Sequence, residues 1–270
     1  MWLERFSKKQ LESEQRKRAL VISDTHTGAT TGLISPDCGY DSPYHNTRRK
    51  ELWKCFDREV GRLGKIDYLI NLGDAVHGPS KTAARNDEIL INEIDNQALA
   101  FETILQRISA EKGVFVMGTG WHVGDTAKPV EQRLAEKYGY EFHKIVEEYN
   151  IDGVRFHLKH KIGGSNDPRT LGNVLAKEYN VVVANHARHG VPAHIPDIVL
   201  RAHRHVFHYR GDETYLSMIT PCLQTWGGNI ATELTSVFYP TTGLVFFDIL
   251  DGHYTWEHRI WKLDSHQEGR

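Results

Sequence analysis

The sequence predicts an α/β (α+β) fold, and three observations carry the prediction. Short apolar runs rich in β-branched residues, such as Ala19-Leu20-Val21-Ile22, alternate with stretches whose apolar residues recur at helical spacing. Runs of that kind read as strands buried on both faces. The first two are joined by one helical stretch, which makes a βαβ unit with a parallel strand pair. The strands also end in acids and imidazoles, and in open α/β sheets chemistry sits just beyond the carboxyl ends of strands.

Residues 3–17 read as a short polar helical arm, with Leu3, Phe6 and Leu11 as a weak apolar stripe. The first strand then runs into Asp24-Thr25-His26, and side chains two apart in an extended chain point the same way. Thr27 to Asn46 is broken by Gly28, Gly32, Pro36, Gly39 and Pro43 and carries Tyr40, Tyr44 and His45. A loop of that length either lines the site or is a mobile surface insertion. Asn46-Thr47 caps a helix with Leu52, Phe56 and Val60 on one face, ended by Gly64. Ile66 to Leu72 is the second strand, delivering Gly73-Asp74-Ala75-Val76-His77. A helix is expected over 87–110, and a third strand, Gly113 to Met117, ends in Gly118-Thr119-Gly120-Trp121-His122.

A short helix at about 128–137 comes next. Tyr140 to Glu148 and Val154 to Lys161 read as a hairpin whose second arm delivers His160. Residues 169–188 read as a helix despite Val181-Val182-Val183, with Gly190 and Pro192 stopping it. Ile198 to Leu200 is a strand ending in His203-Arg204-His205. The remainder is β-rich, over Tyr215 to Ile219, Leu244 to Ile249 and Tyr254 to Trp261, with turns at Gly211-Asp212 and Asp251-Gly252. No repeat or linker divides the chain, so residues 1–270 are read as a single domain, with the arm at 1–17 and the insertion at 27–46.

Composition narrows the partners. The net charge of -2 gives no overall field for polyanions, so nucleic acid would need a local basic patch. Cys38, Cys55 and Cys222 are far apart and odd in number, which points to a reducing compartment and away from a zinc-thiolate centre. No apolar run is long enough to span a membrane, and the charged N-terminus lacks a signal core, so the expected location is cytoplasmic. The 16 histidines demand care: chance alone places about one His-x-His in such a chain.

The joint pattern is what counts. Five strand ends deliver ligand-type residues: Asp24 with His26, Asp74, His122, His160, and His203 with His205. Carboxylates and imidazoles without thiolate suit manganese, iron or zinc. That many ligands exceed the need of one tetrahedral ion, so two divalent ions are expected, with one carboxylate between them. Two ions roughly 3.5–4 Å apart clamp the attacking and leaving oxygens of an in-line displacement and acidify a bound water. By contrast, His143, His157, His253 and His258 read as strand-surface residues, and His186 and His189 as the end of a helix.

Asp24-Thr25-His26, Gly73-Asp74-x-x-His77, the Gly118 segment, His160 and His203-x-His205 resemble the ordered motif set of the calcineurin-like metallophosphoesterases. The resemblance spans residues 20 to 208. It implies a four-layer metallophosphoesterase sandwich, two mixed β-sheets flanked by helices. It also implies that Asp24, His26 and His205 hold the first metal, that Asp74 bridges, and that His160 and His203 hold the second. The third motif departs from the family's Gly-Asn-His-Asp or Glu: no Asn is present, and either Thr119 or His122 stands in. Ala202 replaces a Gly in the last motif.

Gly73-Asp74-Ala75-Val76-His77-Gly78-Pro79-Ser80 resembles the DNA-repair exonuclease branch, and Arg48, Arg49, Lys50, Lys81 and Arg85 are nearby candidates for phosphate contacts. The compact chain also resembles phage and prophage members. The reading is therefore a two-metal phosphodiester hydrolase acting on nucleic acid as a nuclease, with His122 and His77 as catalytic candidates. A phosphomonoesterase acting on nucleotides or phosphoproteins and a metal-stabilised scaffold are the alternatives. The sequence does not fix an oligomeric state.

Overall fold

Strand β1, Lys17–Ile22, shows how the layers arise. Its side chains alternate between two faces. Leu20 and Ile22 join one core cluster, while Ala19 and Val21 join another. The computed structural model describes residues 15–40, 46–79, 89–120, 122, 128–164, 170–188, 195–226 and 240–263.

The first cluster lies under three helices: α1 (Asn46–Leu63), α2 (Ile94–Ile108) and α3 (Val130–Tyr138). Phe56 and Val60 of α1, Phe101 and Ile104 of α2, and Leu134 of α3 meet Leu20 and Ile22 there. The strands β2 (Tyr68–Asn71), β3 (Lys112–Val116) and β4 (Glu141–His143) run parallel beside β1. On its other side β1 pairs antiparallel with β10 (Gly243–Leu250), which pairs with β11 (His253–Ile260). This mixed sheet has the order β11-β10-β1-β2-β3-β4.

The second cluster joins two sheets. Val21, Ile70 and Val114 pack against Phe156, Leu158, Leu200 and Met218. The second sheet holds β5 (Val146–Ile151), β6 (Val154–Leu158), β7 (Ile198–Arg201), β8 (His208–Gly211) and β9 (Leu216–Ile219), in the order β5-β6-β7-β9-β8. Its outer face is covered by α4 (Leu171–Arg188), through Leu171 and Leu175 against Ile219. Helices, sheet, sheet and helix make four layers, as expected.

Several elements differ from expectation. The arm at 3–17 lies mostly outside the described residues, but Lys17 opens β1 instead of closing a helix. The hairpin arm expected over 140–148 is split: Glu141–His143 joins the first sheet beside β3, and Val146–Ile151 joins the second beside β6. The chain changes sheets between His143 and Val146, where the pattern of either arm alone gives no warning. The helix expected over 87–110 is confined to Ile94–Ile108; Ile89 instead bridges Ala29, and Leu99 is 57% exposed. Strand β8 was not expected, because three of its four residues are exposed. In α4, burial of Leu171, Leu175 and Val182 overrides the strand preference of the valines. Residues 27–34 are buried throughout, which rules out a surface insertion for that half of the loop. Residues 41–45, including Tyr44 and His45, lie outside the described residues. No described helix is long and apolar enough to cross a membrane.

Candidate metal centre

The tips of β1 and β2 travel together past the ends of the strands. Asp24 N donates to Gly73 O at 3.0 Å, His26 N to Asp74 O at 3.0 Å, and Thr27 N to Ala75 O at 3.1 Å. Sequence spacing implied extended chains at these tips, and the structure shows otherwise. Asp24, His26, Asp74, His203 and His205 all have left-handed backbones, with φ of 49°, 42°, 52°, 73° and 54°. Five non-glycine residues in that region on one edge is unusual, because an L side chain there meets the backbone. Gly73, with φ +98°, lets β2 turn into Asp74, and a Cβ on it would lie 2.7 Å from Gly118 Cα. A Cβ on Gly118 would in turn lie 2.2 Å from Asp74 Oδ1. Both glycines are therefore needed for the approach of the second and third tips.

Two groups of ligand-type side chains form there, one of Asp24, His26 and His205 and one of Asp74, His160 and His203, with ligand atoms within 4.8 Å of one another in each. In the first, His205 Nε2 lies 3.3 Å from Asp24 Oδ1 and 3.2 Å from His26 Nε2. In the second, His160 Nε2 lies 3.0 Å from Asp74 Oδ2. His160 Nδ1 donates to the Leu72 carbonyl at 2.7 Å, across the gap between the sheets. That bond orients the ring so that Nε2 faces the carboxylate. The groups touch where His203 N donates to Asp24 Oδ2 at 3.3 Å.

The electrostatics follow from burial and mutual charge. Burial pushes the Asp74 carboxyl up, but the imidazoles of His160, His122 and His26 outweigh it and hold the group well below the usual carboxylate range. Asp24 is likewise lowered, burial being outweighed by His205 and His160. His160 is pushed up to about 9: burial lowers it, and Asp74 and Asp24 more than compensate. Burial and the neighbouring His122 and His205 take His26 well below the ordinary imidazole value. Burial and His160 bring His203 down to about 4.

The third strand tip resolves differently from either alternative taken alone. Thr119, not His122, holds Asp74: its N–H donates to Oδ1 at 2.6 Å and its hydroxyl lies 3.0 Å from the same atom. His122 turns back, with Nδ1 donating to the His77 carbonyl, and its Nε2 stops 4.0 Å from Asp74 Oδ2. His77 is at the same edge, its ring 5.8 Å from that of His26 and 5.5 Å from that of His122. The basic candidates differ in exposure, and Lys50 is exposed. Arg49 is buried and donates to Tyr40 O, and Arg48 donates to Trp226 O, while Lys81 and Arg85 lie outside the described residues.

Two residues escaped the sequence reading. Glu131, in the first turn of α3, is fully buried, and burial with the nearby Asp74 charge pushes its carboxyl up to about 7. The signal was an acid on the apolar stripe of α3, beside Leu134 and Ala135. His157 is buried rather than on the strand surface, with Nδ1 3.2 Å from the Arg201 guanidinium, and burial and that charge bring it down to about 3.

No family model matches the chain, and no curated protein matches it. Among solved structures, a single-mutant Vps29 from Entamoeba histolytica aligns with 91% of this chain and 99% of its own, at 13% identity and a TM-score of 0.41. A predicted phosphoesterase from Streptococcus pneumoniae covers 92% of this chain and 91% of its own, at 12% identity and a TM-score of 0.40. An archaeal phosphodiesterase covers 90% of this chain and 99% of its own, at 14% identity and a TM-score of 0.45. At these identities and TM-scores the likeness assigns neither family nor activity to this chain.

Proposed function

We propose that the chain hydrolyses phosphodiesters with two divalent cations, and that its substrate is nucleic acid. The observation that carries the reading is the pair of adjacent groups, each of one carboxylate and two imidazoles, on one edge. The residues fit cations. Asp24 Oδ1 is buried and makes no hydrogen bond, with His205 Nε2 3.3 Å away, a costly state for a carboxylate oxygen that a cation would relieve. Manganese, iron and zinc all suit this donor set. Asp24, His26 and His205 would hold one ion, His160 and His203 the other, with Asp74 between them. Bound there, the pair would polarise the phosphoester and acidify a water.

The chain's own residues do the rest. Thr119 fixes the Asp74 carboxylate, and the Leu72 carbonyl fixes the His160 ring. His122 Nε2, 4.0 Å from Asp74 Oδ2, would give a proton to the departing oxygen, a role that typically contributes roughly 10²–10⁴-fold. His77 beside it would position the strand. Support for nucleic acid comes from the resemblance of the Gly73–Ser80 segment and the place of His77 at this edge.

The test is a rate comparison with manganese on a nitrophenyl diester, a nitrophenyl monoester, and single- and double-stranded DNA. Turnover of the diester and of DNA is expected. Turnover of the monoester alone would move the protein to the phosphomonoesterases, and none on any substrate would favour a scaffold.

A further inference from the structure

We propose that His26, His77 and His122 form a further zinc seat made of imidazoles, which shares His26 with the first carboxylate-bearing group. Their ligand atoms lie within 4.8 Å of one another. The rings of His26 and His122 are 4.5 Å apart and nearly perpendicular, at 79°. His122 Nδ1 donates to the His77 carbonyl, which leaves the lone pair on Nε2, 4.0 Å from Asp74 Oδ2. A backbone carbonyl on the far nitrogen is the usual support of a metal-ligating histidine. His26 Nδ1 is buried and makes no hydrogen bond, so this ring too has a nitrogen to offer.

The donor set selects the ion. Three neutral imidazoles with an open fourth position suit zinc, whereas manganese prefers carboxylate and water oxygens. The seat also shares a residue with its neighbour. His26 Nε2 lies 3.2 Å from His205 Nε2 in the first carboxylate group. One lone pair cannot serve two cations, so the two seats compete for the His26 ring. On the hydrolase reading above, on which this consequence rests, zinc in the seat also withholds His77 and His122 from substrate. Excess zinc then represses manganese-supported turnover.

Zinc and manganese binding to an Asp24→Asn/Asp74→Asn double variant, measured by equilibrium dialysis, tests the seat without recourse to activity. One zinc and no manganese per chain is expected, and the zinc is lost when His77→Ala and His122→Ala are added. Absence of zinc from the first variant, or its retention in the second, overturns the proposal. If circular dichroism shows the double variant unfolded, Asp24→Asn alone carries the comparison: two zinc equivalents, falling to one with His77→Ala, and an unchanged count overturns it. The manganese count of the unaltered chain tests the two-cation reading separately, so either proposal can fail without the other.

Discussion

Among the described residues, left-handed residues that are not glycine occur at Ser109, which ends α2, at two hairpin tips and at the candidate metal centre, and the tips and the centre hold them for different reasons. At the hairpin tips, Asp152-Gly153 and Asp251-Gly252 have φ of 48° and 90°, and 48° and 77°. They link β5 to β6 and β10 to β11, and a two-residue hairpin turn of this kind requires positive φ at both positions. The tips also support each other, with Gly252 N donating to Asp152 O at 2.7 Å. At the candidate metal centre no hairpin demands the conformation. Asp24, His26, Asp74, His203 and His205 adopt it while carrying the side chains that converge. Backbone cost that chain reversal does not explain gathers where side chains have to be aimed.

The largest expected effect breaks the centre and spares the tips. Asp74→Asn keeps the shape but halves the charge available to two cations, so hydrolysis is expected to fall to background while the circular dichroism spectrum is unchanged. Retained hydrolysis would place the bridging charge elsewhere.

Glycine replacements sharpen the contrast on stability. Gly73→Ala combines positive φ with a Cβ 2.7 Å from Gly118 Cα. It should cost about 2–4 kcal/mol by urea denaturation. Gly139, at the end of α3, has φ +70° but nothing within 4 Å of an added Cβ. There the same change should cost only about 1 kcal/mol. Equal losses would mean that crowding at the centre is absent.

Two buried histidines on one strand path should respond to pH with opposite signs in metal-free protein. His160 is raised to about 9 in the fold, so its stabilisation is complete below pH 6.5 and is lost as pH rises from 6.5 through 9. His157 is lowered to about 3, so its contribution is present above pH 6.5 and is lost as pH falls from 6.5 towards 3. Each is worth on the order of 2–3 kcal/mol, given about 1.4 kcal/mol per pK unit and partial screening. His160→Gln should flatten the alkaline limb of the stability profile and His157→Gln the acid limb; the reverse assignment would contradict the account.

The smallest effect isolates the backbone itself. His203→Gly and His203→Ala both remove the ring, but glycine tolerates φ of 73°. The glycine variant should be the more stable by about 1–2 kcal/mol. Indistinguishable variants would mean that the left-handed backbone at the centre carries no cost.

Much of this was legible in the residues. β1, α1, β2, β3, α4 and β7 follow from apolar runs and helical spacing, because burial on both faces or on one stripe dictates those patterns. Asp24, His26, Asp74, His160, His203 and His205 were placed near one edge because parallel strands share a direction. The details lay out of reach because they depend on tertiary contacts. Nothing in Tyr140 to Glu148 signals a strand that changes sheets, and β8 is too exposed to show a pattern. The left-handed tips depend on Gly73 and Gly118 meeting, which spacing does not reveal. Thr119 and His122 were the two possible stand-ins, and the hydrogen bonds that tie Thr119 to Asp74 are a tertiary contact that spacing does not reveal. Glu131 could be seen only as an acid on an apolar stripe, without the knowledge that Asp74 lies nearby.

The central claim is that the two Asp/His groups each complete a cation site. Manganese bound per chain, measured by elemental analysis after equilibrium dialysis, tests it most directly. Two equivalents are expected in the unaltered protein, falling to one in His160→Ala with the fold retained. Saturation at one equivalent, or two equivalents undisturbed by His160→Ala, would contradict it.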